Sequence, residues 1–322
     1  MWAYRVVRPG HLKLEAAPDL HGSNLADGEV LLRLLAGGIC GSDVPKFLGT
    51  RGVEVGTVFP AAGLPLGMPL HEVVGEVVAS SSPFLEVGER VVGWARDSNA
   101  LAEFVRTAGD RVVRYPEDMA PTDAVLAQPL ACVLEAVARL PLAGARVAVL
   151  GLGAMGALFA LVARSAGAAH VTGIDIVDRS ALDPRLGVDE FVHASGREWA
   201  GGLRTTERPD IVIEVVGHQT ETVDDAVVAV AAGGTVLCFG IPDQRRYAID
   251  LEALMRKNLS LLGGVTAEHR RGLRHAVDFL SARPWLASAL VTDVHDRDQV
   301  QQAYEAAASA RPDRLKVVLT LA

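Results

Sequence analysis

Residues 146–156 read RVAVLGLGAMG, and this stretch decides the fold. An uncharged apolar run ends in Gly151, and the chain then re-enters an apolar segment, GALFALVARSAGA, with helical spacing. The pattern is G-x-G-x-x-G between a strand and a helix. Gly151 permits the tight turn, Gly153 lets a pyrophosphate approach the backbone, and Gly156 lets the helix pack on the strand. The helix opens at Ala154 and Met155, where unpaired backbone N–H groups and the positive dipole end suit phosphate. Asp175 follows Gly156 by 19 residues, in HVTGIDIV, at the place where an acidic side chain accepts hydrogen bonds from the adenosine ribose. Such a carboxylate repels a 2′-phosphate, and Ile176 and Val177 rather than an arginine come next, so NAD is expected over NADP.

Outward from this loop, the chain keeps alternating strand and helix. PDIVIEVVG and GTVLCFG read as further strands, with TETVDDAVVAVAA as the helix between them. Uncharged strands alternating with helices predict a doubly wound parallel sheet covered on both faces, hence an α/β class. Upstream, AVLAQPLACVLEAVARL predicts one helix starting near Pro121. The first hundred residues differ: EVLLRLLAGGI, EVVGEVVAS and GERVVGWA are short strands punctuated by Gly, Asp and Ser. From about residue 265 the pattern becomes mixed and ends in a strand, LKVVLTL. A β-rich domain over 1–120, completed by 266–322, therefore surrounds an α/β domain over 121–265.

Composition excludes several functions. The 322 residues carry 31 Lys and Arg against 39 Asp and Glu, a net charge of −8, which attracts neither nucleic acid nor anionic lipid. The uncharged stretches 147–163 and 226–242 are 17 residues each and broken by glycines, too short for membrane spans of roughly 18–20 residues. Charges near the N-terminus argue against a signal-peptide core. Three cysteines, Cys40, Cys132 and Cys238, are too few and too scattered for a disulfide framework, so a reducing, cytoplasmic setting is expected.

Two further motifs carry chemistry. Cys40 lies in GGICGSD, and His71 and Glu72 are adjacent in PLHEVVGEV. Thiolate, imidazole and carboxylate are ligand types of an open catalytic zinc site, which leaves a position for water or substrate. Each residue alone is as readily a core or surface residue; together, in a β domain preceding a nucleotide-binding loop, they point to a metal. Lys46 and Arg51 shortly afterwards are candidates for holding an anionic substrate group.

GICGSD, HEVVGEV, VGERVVG, GLGAMG, the I-E-V-V-G strand end and KVVLTL follow one another in the manner of the medium-chain dehydrogenase/reductase superfamily, which the chain resembles. The resemblance covers nearly the whole chain and is nearest to the zinc-dependent alcohol and polyol branch, of sorbitol and threonine dehydrogenase type. It implies a GroES-like catalytic domain around a Rossmann domain and one catalytic zinc on Cys40, His71 and Glu72. Zinc would polarise the oxygen of an alcohol or ketone substrate, Ser42 would take the hydroxyl proton, and hydride would pass to NAD. The resemblance also assigns Lys316 to the cofactor pyrophosphate, and Val216 with Gly217, then Phe239, Gly240 and Ile241, to loops lining the cofactor. It implies a homodimer or homotetramer.

Four departures from that pattern stand out. The cysteine-rich lobe that holds a structural zinc in many relatives is absent, because GERVVGWARDSNALAEFV runs straight across its place. Gln128 occupies the position beside the metal where relatives carry glutamate or cysteine; its neutral amide leaves zinc a stronger Lewis acid. Pro45 stands where many relatives have a proton-relay histidine. Leu70 replaces the glycine before His-Glu, which predicts strain if that position needs positive φ. The competing readings are a zinc-free NADPH-dependent reductase of the same superfamily and a dinucleotide-binding protein without turnover.

Overall fold

The computed structural model describes residues 1–50, 59–242 and 244–322. They divide into two compact units: Met1–Ala131 with Ala267–Ala310 and Arg314–Ala322, and Cys132–Thr266 with Arg311–Asp313. Residues 121–131 thus group with the first unit, whereas the sequence reading placed them in the second.

The second unit is a six-stranded, all-parallel sheet in the order Glu190–His193, His170–Asp175, Arg146–Leu150, Ile211–Glu214, Thr235–Cys238, Ser260–Leu262. Numbered along the chain this is 3-2-1-4-5-6, the doubly wound order, and the strand order reverses between Arg146–Leu150 and Ile211–Glu214. Strand residues 147–150 and 211–214 are all buried, as a sheet covered on both faces requires. The edge strand Glu190–His193 was not anticipated; its four residues, two of them charged or polar, fall below the length at which apolar patterning is readable.

The first unit holds a seven-stranded sheet running Val291–Asp296, Lys316–Thr320, Glu29–Gly38, Glu72–Ser80, Arg90–Trp94, Val112–Arg114, with Phe104–Ala108 also paired to Glu29–Gly38. A hairpin, Trp2–Arg8 with His11–Ala16, lies outside it. Val6, Leu32, Leu34, Leu70, Val73, Leu101, Tyr304 and Leu319 are among the residues filling its core. The sheet sets Glu72 opposite Gly38, and Gly38 opposite Val318, so strands from the N-terminal and C-terminal parts of the chain meet beside Glu72.

The helix expected from Pro121 onward is two helices, Pro121–Ala124 and Ala127–Val137. Pro129 has no N–H to donate to the Val125 carbonyl, so the α pattern is interrupted and Gln128 N bonds to Val125 O at 3.3 Å instead. The first helix has Ala120 at its N-cap with no side-chain cap, and proline at N1 supplies the start. Leu70 is also unlike its expectation. It is absent from the positive-φ residues, which among the described residues are Ser98, His218 and Asn258 apart from glycines. Its side chain is fully buried in the core, and its backbone is held by Ser98 O and Ala100 N at 2.9 and 3.1 Å. Leucine sits there in a β-bridge to Asn99, without the positive φ that would have called for glycine.

Candidate functional site

The metal-ligand candidates come together in the first unit. Cys40 follows the strand Glu29–Gly38, while His71 and Glu72 sit at the start of Glu72–Ser80, which pairs with that strand. Their donor atoms all lie within 4.8 Å of one another. Zinc bonds such atoms at about 2.0–2.3 Å, so small side-chain adjustments bring three of them onto one ion. Sulfur, imidazole nitrogen and carboxylate oxygen are all donor types that zinc takes. The donor set therefore fits a zinc ion.

Asp43 orients this site. It precedes the short helix Val44–Phe47, but its carboxylate does not cap that helix. Oδ2 accepts from the Cys40 backbone N–H at 3.1 Å, and Oδ1 meets His71 Nδ1 at 2.9 Å. A carboxylate only accepts, so Nδ1 is the donor and Nε2 is left for a metal. Burial opposes charge on the His71 ring, but Asp43 and the Cys40 sulfur outweigh it and raise the His71 pKa well above its ordinary value. The negative groups that favour a proton there favour a cation equally. The GICGSD motif contains Asp43 but does not itself reveal this role; a carboxylate three residues after a ligand cysteine is the available signal.

Lys316 is buried in the same unit, beside Glu72. Its ammonium donates to Glu72 Oε1 at 2.7 Å and to Ile39 O at 3.0 Å. Glu72 Oε2 lies 2.6 Å from the same nitrogen but outside hydrogen-bonding geometry, and it has no other partner. Glu72 is thus charge-paired with Lys316 through both oxygens, with Oε2 left free of a hydrogen bond. The pair packs so closely on Gly38 that a Cβ there would lie 2.3 Å from Oε2. Lys316 was expected at the cofactor pyrophosphate; the structure puts its ammonium on Glu72 and Ile39.

Ser42 is half-buried in the turn between Cys40 and Asp43. Gln128 is 3% exposed, on the first turn of Ala127–Val137. Lys46 Nζ is 3.4 Å from Ser98 Oγ. Arg51 lies outside the described residues.

In the second unit the glycine turn has the conformation its residue types require. Gly151 takes φ +97°. Gly153 precedes the helix Ala154–Ser165, and a Cβ on it would meet nothing within 4 Å, so its surface is open to a ligand. A Cβ on Gly156 would lie 1.9 Å from Gly151 O, so only glycine allows this approach. Asp175 ends its strand beside the turn, accepting from Leu152 N at 2.7 Å and Val177 N at 2.8 Å.

The loops at 215–217 and 239–241 meet over Glu214. Its Oε1 accepts from Val216 N and Gly217 N, both at 3.0 Å, and from Thr222 Oγ1 at 2.9 Å. Its backbone carbonyl accepts from Phe239 N and Gly240 N at 2.9 and 3.0 Å. Gly217 approaches Ile241 so closely that a Cβ would lie 2.6 Å from its backbone. Phe239 packs edge-on against Phe159, at 4.7 Å between centroids. Glu214 is visible in the I-E-V-V-G motif, but a buried acid that organises two loops has no local signature. Burial and the Glu214 charge push the neighbouring Cys238 thiol up to about 11.

A β-rich unit with a thiolate–imidazole–carboxylate cluster, on a chain with a doubly wound unit and a glycine turn, defines an alcohol dehydrogenase-type oxidoreductase. The alcohol dehydrogenase GroES-like domain family matches residues 26–155, and the glucose dehydrogenase C-terminus family matches residues 124–321. The chain belongs to the zinc-dependent alcohol and polyol dehydrogenase branch of the medium-chain dehydrogenase/reductase superfamily. It is similar to sorbitol dehydrogenase of Bacillus subtilis (strain 168), at 22% identity over 96% of this chain and 94% of that protein. It is 26% identical to L-threonine 3-dehydrogenase of Saccharopolyspora erythraea over 78% of this chain and 82% of the relative. Among solved structures it resembles L-idonate 5-dehydrogenase from Escherichia coli, with a TM-score of 0.79, 20% identity, and coverage of 99% and 97% of the two chains. No helix among the described residues is long and apolar enough to cross a membrane.

Proposed function

We propose that this chain oxidises a secondary alcohol of a polyhydroxylated substrate, such as a polyol, sugar or cyclitol, to the ketone with NAD, and catalyses the reverse reduction. The observation that carries this reading is the convergence of Cys40, His71 and Glu72 within 4.8 Å. The sorbitol dehydrogenase relative supports the polyol class. Cys40, His71 and Glu72 would hold one zinc ion, with Gln128 as a neutral neighbour. Bound there, zinc supplies Lewis acidity toward the substrate oxygen.

The chain's own groups do the rest. Asp43 holds the His71 ring in one orientation through Nδ1. The Ser42 hydroxyl accepts the alcohol proton and passes it onward; Pro45 has no group to carry it further. A dinucleotide held at the glycine turn would supply the hydride acceptor, so the products would be ketone, reduced dinucleotide and a proton. The glycine turn, from Gly151 through Gly153, Ala154 and Met155 to Gly156, receives the pyrophosphate, and Asp175 the adenosine ribose. Val216, Gly217, Phe239, Gly240 and Ile241, held by Glu214, line the remainder. Preference for NAD follows from the Asp175 carboxylate, which would repel a 2′-phosphate; Arg179 Nη1 donates to the carbonyls of Arg311 and Pro312 at 2.8 and 3.0 Å. A cytoplasmic location is part of the same proposal, as is a homodimer or homotetramer, the latter supported by the open sheet edge at Ser260–Leu262 with its exposed Leu261.

The test is turnover of a panel of polyols, sugars and cyclitols with NAD and with NADP. The expected result is oxidation of at least one polyol, with kcat/KM for NAD above that for NADP. Reduction of enones with NADPH and no alcohol oxidation would replace this reading with a zinc-free reductase. Dinucleotide binding without turnover of any alcohol or ketone would replace it with a non-catalytic role.

A further inference from the structure

Tyr304 lies on the helix Val300–Ala307, and its side chain is fully buried in the first unit. Its ring packs on Phe47, with 5.2 Å between centroids and a 46° tilt. Its hydroxyl donates to the Pro69 carbonyl. Phe47 ends the helix that follows Cys40, Ser42 and Asp43, and Phe47 N bonds back to Asp43 O at 3.0 Å. Pro69 stands two residues before His71. One side chain, 235 residues along the chain from Pro69, therefore touches both segments that deliver the metal-ligand candidates.

Its own helix is fastened in turn. Gln301 accepts from Leu12 N at 2.8 Å and donates to Gly10 O at 2.9 Å, while Gly10 N donates to Phe47 O at 2.7 Å. Burial and the nearby charges of Asp43, Cys40 and Glu72 raise the Tyr304 pKa, so its hydroxyl stays protonated and remains a donor.

We propose that Tyr304 is a positioning residue for the metal site: the hydroxyl fixes the Pro69 carbonyl, the ring fixes Phe47, and together they set the separation of Cys40 and His71. This inference rests on the zinc reading above. Without the hydroxyl, the buried Pro69 carbonyl loses this donor, and the His71 segment is free to shift relative to Cys40. Small displacements of ligand-bearing segments weaken a metal site out of proportion to their effect on the fold.

The experiment compares the full chain with Tyr304→Phe, Phe47→Leu and Val300→Ala, the last on the same helix and in the same core. Zinc affinity is read by competition with a chromophoric chelator, ligand geometry by the visible spectrum of the Co²⁺-substituted protein, and stability by Tm. Tyr304→Phe is expected to weaken zinc about tenfold and shift the cobalt bands. Phe47→Leu is expected to do the same to a smaller extent, while Val300→Ala lowers Tm and leaves zinc affinity and the cobalt bands unchanged. Wild-type zinc affinity and cobalt bands in both Tyr304→Phe and Phe47→Leu would overturn the inference, and so would equal loss of affinity in Val300→Ala. A wild-type chain that takes up no zinc would overturn the zinc reading itself, and this inference with it.

Discussion

The metal cluster and the glycine turn are built by opposite strategies. In the β-rich unit, the ligand candidates are held by buried polar pairs reaching across the chain: Asp43 to His71 over 28 residues, and Lys316 to Glu72 over 244. In the α/β unit, the turn is shaped by missing side chains within six residues: positive φ at Gly151, open space at Gly153, contact at Gly156. The first strategy places charges in low dielectric, where each must keep its partner. The second leaves backbone N–H groups exposed at a helix start, where a phosphate can use them. Mutations should therefore fail differently in the two regions, with chemistry and charge balance lost in one, and packing or binding lost in the other.

The largest effect is expected at the metal cluster. Cys40→Ala should lower kcat/KM about a thousandfold or more while the circular dichroism spectrum stays that of the wild type, because Lewis acidity is worth several kcal/mol and Cys40 is only half-buried. Retained turnover would break the distinction between the regions. Next is Lys316→Met, which in the zinc-free chain leaves the Glu72 carboxylate buried without its cation and should cost about 3 kcal/mol or more of unfolding free energy, read by urea denaturation with a chelator present.

The glycine turn sharpens the contrast by dividing stability from binding. Gly156→Ala places a Cβ 1.9 Å from a backbone oxygen and should cost about 2 kcal/mol in stability. Gly153→Ala meets open space, so stability should change by less than about 0.5 kcal/mol. Its NAD affinity, measured by calorimetry, should nonetheless fall about tenfold, ~1.4 kcal/mol. Equal stability losses in the two variants would contradict the roles assigned to them. The smallest effect concerns Cys238. With its pKa at about 11, roughly one thiol in a thousand is ionised at pH 8, so alkylation should be slow and should rise with pH toward that value. Glu214→Gln removes one cause of the shift, lowers the pKa and should speed alkylation at fixed pH.

The same contrast explains how far the sequence could be read. The glycine turn is local, and three glycines between an apolar strand and an apolar helix carry their own physics. Cys40, His71 and Glu72 were legible as ligand types, and the structure brings them together. Their supports were not. Nothing near Lys316 announces a partner 244 residues away, and nothing in the helix Val300–Ala307 shows that its tyrosine reaches Pro69. The break before Pro129 was readable from the missing N–H, but helical spacing on both sides concealed it. At Leu70, a substituted glycine suggested strain from positive φ, and only the backbone geometry shows that φ is not positive there.

The central claim is that Cys40, His71 and Glu72 hold one catalytic zinc. The direct measurement is zinc per chain by plasma mass spectrometry, on protein purified without chelators or metal-affinity resin. The account predicts about one zinc per wild-type chain, lost in Cys40→Ala. A folded wild-type chain with no zinc, still oxidising alcohols with NAD, would contradict it.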